Sequence, residues 1–450
     1  MKLSRSTILA PVPGRDRVLM VQPLTGQAAL LDGATADGLR ALERGGAIPA
    51  TASAEALREA GFAVETEDED RDLTAQALAT YEEEAAKTPT QLVVVPSFGC
   101  NLACTYCYQE LFDPAAAGLI SPAAIDAFFA HVDRRHAGES PRPYITLFGG
   151  EPLRDTPAHH DRIGRFLDGA AERGLEVAVV TNGFDLEAFV PRLAAGPVKE
   201  VQVTLDGPPE IHDRRRPHAD GRGTFHRIAA GVDALVAAGV PVNLRVVVDR
   251  ENLPALPALA AFAEERGWLE LPESRFKTQI GRNYELFGCA SRQRREDLFD
   301  RVALWAGFVE LAEAHPVVGR FHRPRFHGIG HLAETGELPA ANFDACPAAK
   351  KEWAFAPDGG LYGCTATVGN PKHRLGSFYP ESIVDERAVA PWRERNVLSI
   401  PKCQSCALAT VCGGGCGALA FEREGTPLAP DCRPVPELYG LGVRHYGLEG

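Results

Sequence analysis

The sequence predicts an α/β protein built around a partial (β/α)6 TIM-like barrel. A small winged-helix-like α+β module precedes the barrel, and a cysteine-rich domain follows it. Six apolar segments alternate with helical segments from residue 91 onward, which is typical of a parallel sheet covered by helices. The 11 cysteines are unevenly placed, with none before residue 100 and most of them after residue 345. That distribution indicates separate modules.

Residues 1–68 are predicted to form the N-terminal module, and residues 69–90 an acidic helical linker. Ser53 is a suitable N-cap for the second helix of the module, and Gly61 a suitable stop signal. Strands are predicted at 6–12, 17–24 and 28–33, and helices at 34–46 and 53–64.

Residues 91–320 are predicted to form the barrel. Ser121 followed by Pro122 marks the start of its first helix, since proline suits the first helical position. In such barrels the chemistry lies just beyond the carboxyl ends of the strands. The six strands are predicted at 91–95, 144–148, 175–181, 198–205, 240–249 and 274–281. A bridge at 321–345, the cysteine-rich domain at 346–433 and a tail at 434–450 complete the chain.

The composition excludes several classes of function. A net charge of −13 argues against nucleic acid as the main partner, because binding phosphate requires clustered Lys and Arg. No apolar run approaches the length of a membrane span, and the N-terminus lacks the features of a secretory signal. We therefore expect a cytoplasmic protein with no membrane partner. Thiols stay reduced there, so the cysteines indicate metal binding or catalysis rather than disulfides.

Three cysteines, Cys100, Cys104 and Cys107, lie in "SFGCNLACTYCYQE", directly after the first predicted barrel strand. Thiolates are the usual ligands of iron–sulfur clusters, and three of them leave one iron of a four-iron cubane without a protein ligand. The alternatives are free cysteines or a zinc site, although a structural zinc site normally has four ligands. The sequence therefore predicts an iron–sulfur cluster with an open iron.

This CxxxCxxC motif, with Tyr106 inside it and a β/α barrel around it, resembles the radical SAM superfamily. The resemblance implies a 4Fe–4S cluster whose open iron chelates the amino and carboxylate groups of S-adenosylmethionine (SAM). Reductive cleavage of SAM then yields a 5′-deoxyadenosyl radical that abstracts hydrogen from a substrate. The protein supplies position and the exclusion of water.

Polar motifs follow the next three strands: "FGGEP" (148–152), "TNG" (181–183) and "TLDG" (204–207). Glycines let a backbone approach a ligand, and a carboxylate accepts hydrogen bonds from an ammonium group. The resemblance assigns the first motif to the amino group of SAM, and Arg216 of "IHDRRRP" to its carboxylate; a solvated loop is the alternative for these arginines. The expected SAM-binding residues are Tyr106, Gly149, Gly150, Glu151, Asn182, Thr204, Asp206 and Arg216.

The last seven cysteines and Gly359 follow a spacing that resembles the SPASM extension of radical SAM enzymes, which binds two auxiliary 4Fe–4S clusters. A zinc ribbon remains an alternative for the CxxC pair alone. The resemblance assigns Cys346, Cys364 and Cys416 to the first auxiliary cluster, and Cys403, Cys406, Cys412 and Cys432 to the second. Three 4Fe–4S clusters are therefore expected in all.

The first auxiliary cluster then has three cysteines, and Cys289 is the only cysteine left. Three roles are open for it. It is the fourth ligand of that cluster, or the iron is open and binds a substrate thiolate, or Cys289 is a small buried apolar residue, as free cysteine often is.

The resemblance implies an enzyme that modifies a ribosomally synthesised peptide, for example by thioether or other crosslink formation. The expected partners are a precursor peptide with a leader and an electron donor such as flavodoxin or ferredoxin. The N-terminal module is expected to bind the leader at a sheet edge, with "RVLMVQPL" (17–24) as the edge strand. The alternatives are an anaerobic sulfatase-maturating enzyme, which lacks such a module, and a non-catalytic iron–sulfur electron carrier, which needs no "GGEP" or "TLDG" motif. No catalytic base is singled out.

Overall fold

The computed structural model describes residues 1–42, 47–111, 118–282 and 295–448. None of the helices in these ranges is both long and apolar enough to cross a lipid bilayer. The helices outside the N-terminal module are Glu67–Ala86, Pro122–Arg135, Pro157–Glu172, Val190–Ala195, Pro209–Arg215, Phe225–Ala237, Leu256–Glu265, Arg301–Ala314, Pro316–Phe321, Ile329–Thr335, Glu386–Glu394, Ala409–Cys412, Gly417–Glu424 and Val435–Tyr446.

The N-terminal module has its three main strands and two helices where the sequence predicts them, but residues 63–64, predicted as helix, form a short strand instead. This strand, β5 (Ala63–Val64), pairs with β1 (Lys2–Leu3), which was not predicted, and a separate antiparallel sheet has the order β2 (Ile8–Pro11), β3 (Arg17–Gln22), β4 (Gln27–Asp32). The Ser53 side chain accepts a hydrogen bond from the backbone N–H of Ala56 and so caps the second helix, as predicted. The two helices are Gly33–Leu42 and Ala54–Glu59.

The position of β3 corrects one prediction. The segment 17–24 was expected at a sheet edge, but β3 lies in the centre and pairs with both β2 and β4. The five residues from Val18 to Gln22 are all buried. A strand that is buried on both faces is best accommodated between two neighbouring strands of the sheet. The prediction of an edge strand at 17–24 is therefore wrong.

All six predicted barrel strands are present, and they pair in parallel in chain order. Their buried apolar residues form one core with the helices that cover the sheet. The carboxyl ends of the strands meet at one rim, so the motifs that follow them are neighbours in space. The strands are β6 (Gln91–Val94), β7 (Tyr144–Leu147), β8 (Val177–Thr181), β9 (Val198–Thr204), β10 (Val242–Val248) and β11 (Phe276–Arg282).

The cysteine-rich domain extends this sheet, which its sequence did not indicate. β12 (Glu352–Phe355) lies parallel to β6. β13 (Gly360–Tyr362), β14 (Arg374–Ser377) and β15 (Ile383–Val384) continue from it in antiparallel fashion, so the sheet has ten strands. These strands are two to four residues long, too short for a recognisable apolar alternation. They attach the cysteine-rich domain directly to the first strand of the barrel.

The predicted acidic linker is a single helix, Glu67–Ala86, that packs at both ends. Near its start, the buried carboxylate of Asp70 accepts hydrogen bonds from the Ser4 hydroxyl at 2.6 Å and the Arg5 backbone N–H at 3.1 Å. Near its end, the Tyr81 hydroxyl donates to the carbonyl of Asp344, and the Tyr81 ring contacts Phe343. The helix therefore contacts the N-terminal module at one end and the end of the bridge 321–345 at the other.

The segment predicted as a C-terminal tail contains the helix Val435–Tyr446. Its residues Leu438 and Tyr439 share one buried cluster with Ile8 of β2 and Leu19 of β3. A Cβ on Gly440 would lie 2.2 Å from the carbonyl oxygen of Pro11, so the helix backbone directly abuts β2. Deleting the N-terminal module would uncover this core.

We predict that Asp70→Asn loosens the attachment of the helix Glu67–Ala86. The amide replaces a carboxylate that accepts two hydrogen bonds in a buried position, which should cost about 1–3 kcal/mol of local stability. Hydrogen exchange of the helix amides measures this. The control is Asp72→Asn, two residues away and exposed, which should change protection by less than about 0.5 kcal/mol. Equal protection in the two variants would contradict the role of Asp70.

Candidate functional site

The loop that carries Cys100, Cys104 and Cys107 begins directly after β6 and is held by backbone hydrogen bonds on two sides. On one side, the N–H groups of Gly150 and Glu151 donate to the carbonyls of Ser97 and Gly99, both at 2.9 Å. On the other side lies the arginine-containing segment 215–219, to which Ala103 and Thr105 donate at 2.9 and 3.0 Å. Two of the predicted motifs thus clamp the cysteine loop.

The two glycines of "FGGEP" are needed for this close approach. A Cβ on Gly150 would lie 2.3 Å from the carbonyl oxygen of Phe98 and 2.4 Å from that of Gly99. Gly149 has φ +136°, and its Cβ would lie 2.7 Å from the carbonyl oxygen of Ser97. No side chain fits between the backbones, because backbone atoms cannot yield as a flexible side chain can. The glycines therefore position the cysteine loop, whatever ligand they also contact.

Glu151 is fully buried, and its carboxylate accepts three internal hydrogen bonds. The Thr181 hydroxyl and the Leu153 N–H donate to Oε1 at 2.6 and 2.7 Å, and the Asn182 N–H donates to Oε2 at 2.6 Å. Burial raises the pKa of this carboxyl to about 7 against the effect of these donors. The structure thus gives Glu151 the task of joining the ends of β7 and β8, while contact with the amino group of SAM stays a prediction.

Asn182 holds Cys100 in place. Its Nδ2 lies 3.5 Å from the sulfur of Cys100 and donates to Oδ1 of Asn101 at 2.8 Å. Its Oδ1 accepts from the backbone N–H of Phe184 at 2.8 Å. The amide is therefore fixed in orientation, and it orients the cysteine in turn.

Tyr106, Asp206 and Arg216 form a buried hydrogen-bonded chain next to the cysteine loop. The Tyr106 hydroxyl donates to Oδ2 of Asp206 at 2.5 Å and accepts from Nη1 of Arg216 at 2.6 Å. The other carboxylate oxygen of Asp206 accepts from the Val247 N–H at 2.9 Å. Thr204 is buried at the end of β9, two residues earlier. The structure thus brings together three residues predicted from motifs far apart in the sequence.

Arg215 supports this chain and was missed by the sequence analysis. Its guanidinium is buried, donates to both oxygens of Asp249 at 2.8 and 2.7 Å, and lies 5.0 Å from the centre of the Tyr106 ring. The available signals were the run of three arginines and an acid at the end of a predicted strand. Neither shows which arginine faces inward.

Arg216 has spare hydrogen-bonding capacity. It is 7% exposed, and its Nε has no hydrogen-bond partner within the described part of the chain. A buried guanidinium with an unused donor favours an anionic ligand, because an unmade hydrogen bond to a charged group is costly. The environment of Arg216 therefore fits a carboxylate such as that of SAM.

The thiols of the cysteine loop suit a thiolate-bound cluster. Burial raises the pKa of Cys100 to about 11 and also raises that of Cys104, where nearby Arg216 acts in the opposite direction. Thiols with raised pKa values lose their protons readily only when a metal binds the sulfur. Thiolate is a soft ligand suited to iron–sulfur clusters. No three Cys, His, Asp or Glu side chains in the described ranges are grouped tightly enough for a single metal ion. The fit to a cluster rests on the chemistry of the donors.

Cys364 and Cys403 each have cysteine neighbours from their own predicted group, and the assignment of the cysteines after residue 345 to two clusters stays a prediction. In the first, burial and the neighbouring Cys346 and Cys416 raise the pKa of Cys364, and all three residues belong to one apolar cluster. In the second, burial and the neighbouring Cys412, Cys406 and Cys432 raise the pKa of Cys403 to about 11. Cys289 lies outside the described residues, so its role stays open.

Comparison with known proteins identifies the central domain. The model of the radical SAM superfamily matches residues 94–263, a range that contains the cysteine loop and every predicted SAM-binding residue. These residues form a radical SAM domain. The domain implies a 4Fe–4S cluster and SAM, and the donors described above fit both.

Curated relatives cover most of the chain. The serine-type anaerobic sulfatase-maturating enzyme of Klebsiella aerogenes is 25% identical over 77% of this chain and 84% of its own. The PqqA peptide cyclase of Ruegeria pomeroyi is 26% identical over 78% of this chain and 88% of its own. A protein with a radical SAM domain and such relatives is an enzyme, so the alternative of a non-catalytic electron carrier is set aside.

Two solved structures share the fold. A sulfatase-maturating enzyme, anSMEcpe with bound AdoMet and a peptide, is 18% identical with a TM-score of 0.57, and the match covers 80% of this chain and 96% of that one. SuiB of Streptococcus suis, bound to its precursor peptide SuiA, is 15% identical with a TM-score of 0.53. That match covers 96% of this chain and 99% of SuiB. At these identities the likeness concerns the fold alone.

We predict that Arg215→Met destabilises the rim of the radical SAM domain. The substitution leaves the buried Asp249 carboxylate without its cation, which typically costs about 3–5 kcal/mol. Hydrogen exchange of the β10 amides should report the loss. Arg214→Met is the matched control, because that neighbouring arginine is 58% exposed in its pairing with Glu251 and should contribute about 0–1 kcal/mol. Unchanged β10 protection in Arg215→Met would contradict the prediction.

Proposed function

We propose that this enzyme cleaves SAM reductively and uses the resulting radical to modify a ribosomally synthesised precursor peptide, for example by forming a thioether or another crosslink. One observation carries the choice of substrate. The fold of SuiB, a protein solved with its precursor peptide, matches 96% of this chain, whereas the match to anSMEcpe covers 80%. A match over 96% of the chain must include most of the N-terminal module, where a leader would bind.

The proposed roles of the radical SAM domain residues are those that the resemblance implies, and the hydrogen bonds around Arg216 support them. Cys100, Cys104 and Cys107 hold the cluster, which together with SAM supplies the 5′-deoxyadenosyl radical when both are bound. Arg216 binds the carboxylate of SAM through its unused Nε donor. Tyr106 orients Arg216 by accepting its hydrogen bond, and Asp206 fixes Tyr106 in turn.

Two auxiliary 4Fe–4S clusters are proposed in the cysteine-rich domain, and the SPASM-like spacing of its seven cysteines supports them. Cys346, Cys364 and Cys416 hold the first, with Cys289 as one candidate for its fourth ligand. Cys403, Cys406, Cys412 and Cys432 hold the second. A flavodoxin or ferredoxin is the proposed source of electrons.

The proposed leader site is the outer edge of β4. Since β3 is central, the edges of the sheet are β2 and β4, and no strand pairs with the outer edge of β4 among the described residues. A cavity of about 420 Å³ lies beside the start of β4, between the turn at Thr25 and the helix residues Leu73 and Gln76. An extended peptide added to β4 gains main-chain hydrogen bonds, and such a cavity accepts one of its side chains.

The charge near this edge indicates a basic leader. An adjoining cavity of about 780 Å³ has five carboxylates in its lining, against Arg58 and the N-terminal residue Met1 as the positive groups. Complementary charge speeds association and fixes register, so Lys or Arg is expected in the leader. The carboxylates belong to Glu55, Glu59, Glu65, Glu69 and Asp72.

An anaerobic sulfatase-maturating enzyme is the second candidate, favoured by a 25% identical relative that matches 77% of this chain. The two proposals share the radical SAM domain and differ in substrate. A sulfatase maturase requires no leader, so leader dependence of turnover separates them.

We predict that anaerobically reconstituted protein holds about twelve irons per chain, four in each of three cubanes. Replacing Cys100, Cys104 and Cys107 by Ala should leave about eight irons and abolish SAM cleavage. Replacing Cys403, Cys406 and Cys412 instead should also leave about eight irons. Iron and sulfide analysis with visible absorbance measures both. Zinc in place of iron, or four irons in the unmodified protein, would contradict the count.

We also predict that a precursor peptide protects β4 from hydrogen exchange. A peptide added to the outer edge of β4 would accept hydrogen bonds from the N–H groups of residues 27–32 that face that edge. Residues 8–11 of β2 serve as the internal control. The test requires a candidate precursor peptide, sought as a short cysteine-containing reading frame next to the gene, and uses it with and without its leader. Protection of β4 by the leaderless peptide alone, or modification at an equal rate without the leader, would contradict the proposal. Deletion of residues 1–65 would not test the leader site cleanly, because it would expose the core shared with the helix Val435–Tyr446.

A further inference from the structure

Arg395 is a fully buried arginine in the cysteine-rich domain that the roles proposed so far do not use. It directly follows the helix Glu386–Glu394 and is 1% exposed. Among the described residues that are this deeply buried, only Trp268 is larger, and Arg215 is the same size. Nη1 of Arg215 donates to both carboxylate oxygens of Asp249, whereas Arg395 donates to backbone carbonyls. A buried guanidinium without an anion is costly, because its charge has lost the solvation of water.

The hydrogen bonds of Arg395 are incomplete. Its Nη2 donates to the carbonyl oxygens of Gly414 and Ala429, at 2.6 and 3.2 Å. Its Nε and Nη1 have no hydrogen-bond partner in the described ranges. The nearest carboxylate, that of Asp344, is 3.9 Å away from Nη1 and already binds Lys350. Three N–H groups of the guanidinium are therefore left for another acceptor.

Arg395 lies between the two cysteine groups. Its Nη2 donates to the carbonyl oxygen of Gly414, which lies two residues from Cys412 of the second group and two residues from Cys416 of the first. A Cβ on Gly417 would lie 3.0 Å from the Cys346 sulfur and 3.2 Å from Cδ of Arg395. One arginine thus contacts the surroundings of a cysteine from each group.

The loop "CGGGC" (412–416) leaves room for the guanidinium. Gly413, Gly414 and Gly415 all have positive φ, between 61° and 74°. A Cβ on Gly414 would lie 3.1 Å from Nη1 of Arg395, so a side chain there would crowd the unused donor. This loop links Cys412 of the second group to Cys416 of the first, and it curves around Arg395.

We propose that Arg395 is the shared counter-charge of the two auxiliary clusters, with its Nε and Nη1 donating hydrogen bonds to cluster or thiolate sulfur on either side. The inference rests on the proposed function, which places both clusters there. Thiolate-bound clusters are anionic, and two of them buried near each other repel unless a cation lies between them. The side chain is too deeply buried to reach any ligand in solution.

The proposal predicts a redox effect. Reduction adds a negative charge to a cluster, and a neighbouring cation stabilises the reduced state. Removing the charge of Arg395 should therefore lower the midpoint potentials of the auxiliary clusters by at least about 59 mV. This shift corresponds to a tenfold change in the equilibrium constant of a one-electron reduction. The radical SAM cluster, held by a different domain, should keep its potential.

The test compares Arg395→Lys, which keeps the charge, with Arg395→Met, which keeps the apolar stem, in anaerobically reconstituted full-length protein. The control is Arg393→Met, because Arg393 is 53% exposed and pairs with Glu386. Iron content and EPR-monitored redox titration are the measurements. We expect Arg395→Lys to stay close to the unmodified protein, and Arg395→Met to show lowered auxiliary potentials or a loss of up to eight irons.

Each outcome of this test either supports the proposal or overturns it. If Arg395→Met fails to fold while Arg395→Lys folds with its clusters, position 395 requires a positive charge, as proposed. If Arg395→Met keeps both the iron and the potentials, or if both variants fail alike, Arg395 acts in packing and the proposal is overturned. A failure of the proposed function would be recognised separately, because the protein without substitutions would then bind only about four irons.

Discussion

The fixed position of the cysteine loop is the constraint on which the rest of the site depends. Its thiols must face one open side, so the loop has to be held from its other sides without side chains in the way. Backbone hydrogen bonds to Gly150 and Glu151 on one edge, and to the segment 215–219 on the other, achieve this. The close approach explains the two glycines of "FGGEP", and the second contact brings Arg216 next to Cys104. The same backbone pairing thus sets the geometry of the loop and the charge beside it.

Buried arginines recur wherever this chain is expected to hold an anion. Arg215, Arg216 and Arg395 each have an Nε without a hydrogen-bond partner in the described residues, but of the three only Arg215 donates to a carboxylate, that of Asp249. Leaving a buried cation without an anion is unfavourable unless a ligand supplies one. Arg215 has its anion within the fold, and Arg216 and Arg395 are proposed to receive theirs from SAM and from the clusters.

The sequence predicted what short-range patterns encode. The six barrel strands, the Ser53 cap and the two cysteine groups were all predicted, because apolar alternation, capping and ligand spacing are local or follow a known motif. Three features were not predicted. The strands β12–β15 are too short to show a period, and the central place of β3 depends on pairing with β2 and β4 rather than on its own residues. The partners of Arg215 and Arg395 depend on which side chains face inward, and this is a property of the packed structure.

The packing of the N-terminal module has a consequence for how a peptide would reach the barrel. The helix Glu67–Ala86 is anchored by Asp70 at one end and by Tyr81 at the other, and β2 packs on the helix Val435–Tyr446. A tethered module would raise the local concentration of a bound peptide over a broad volume. An anchored one fixes the position of the β4 edge relative to the barrel. With the leader bound at β4 as proposed, the distance from the leader to the reacting residue would be set by the peptide alone, and the choice of the modified residue would depend on its spacing from the leader.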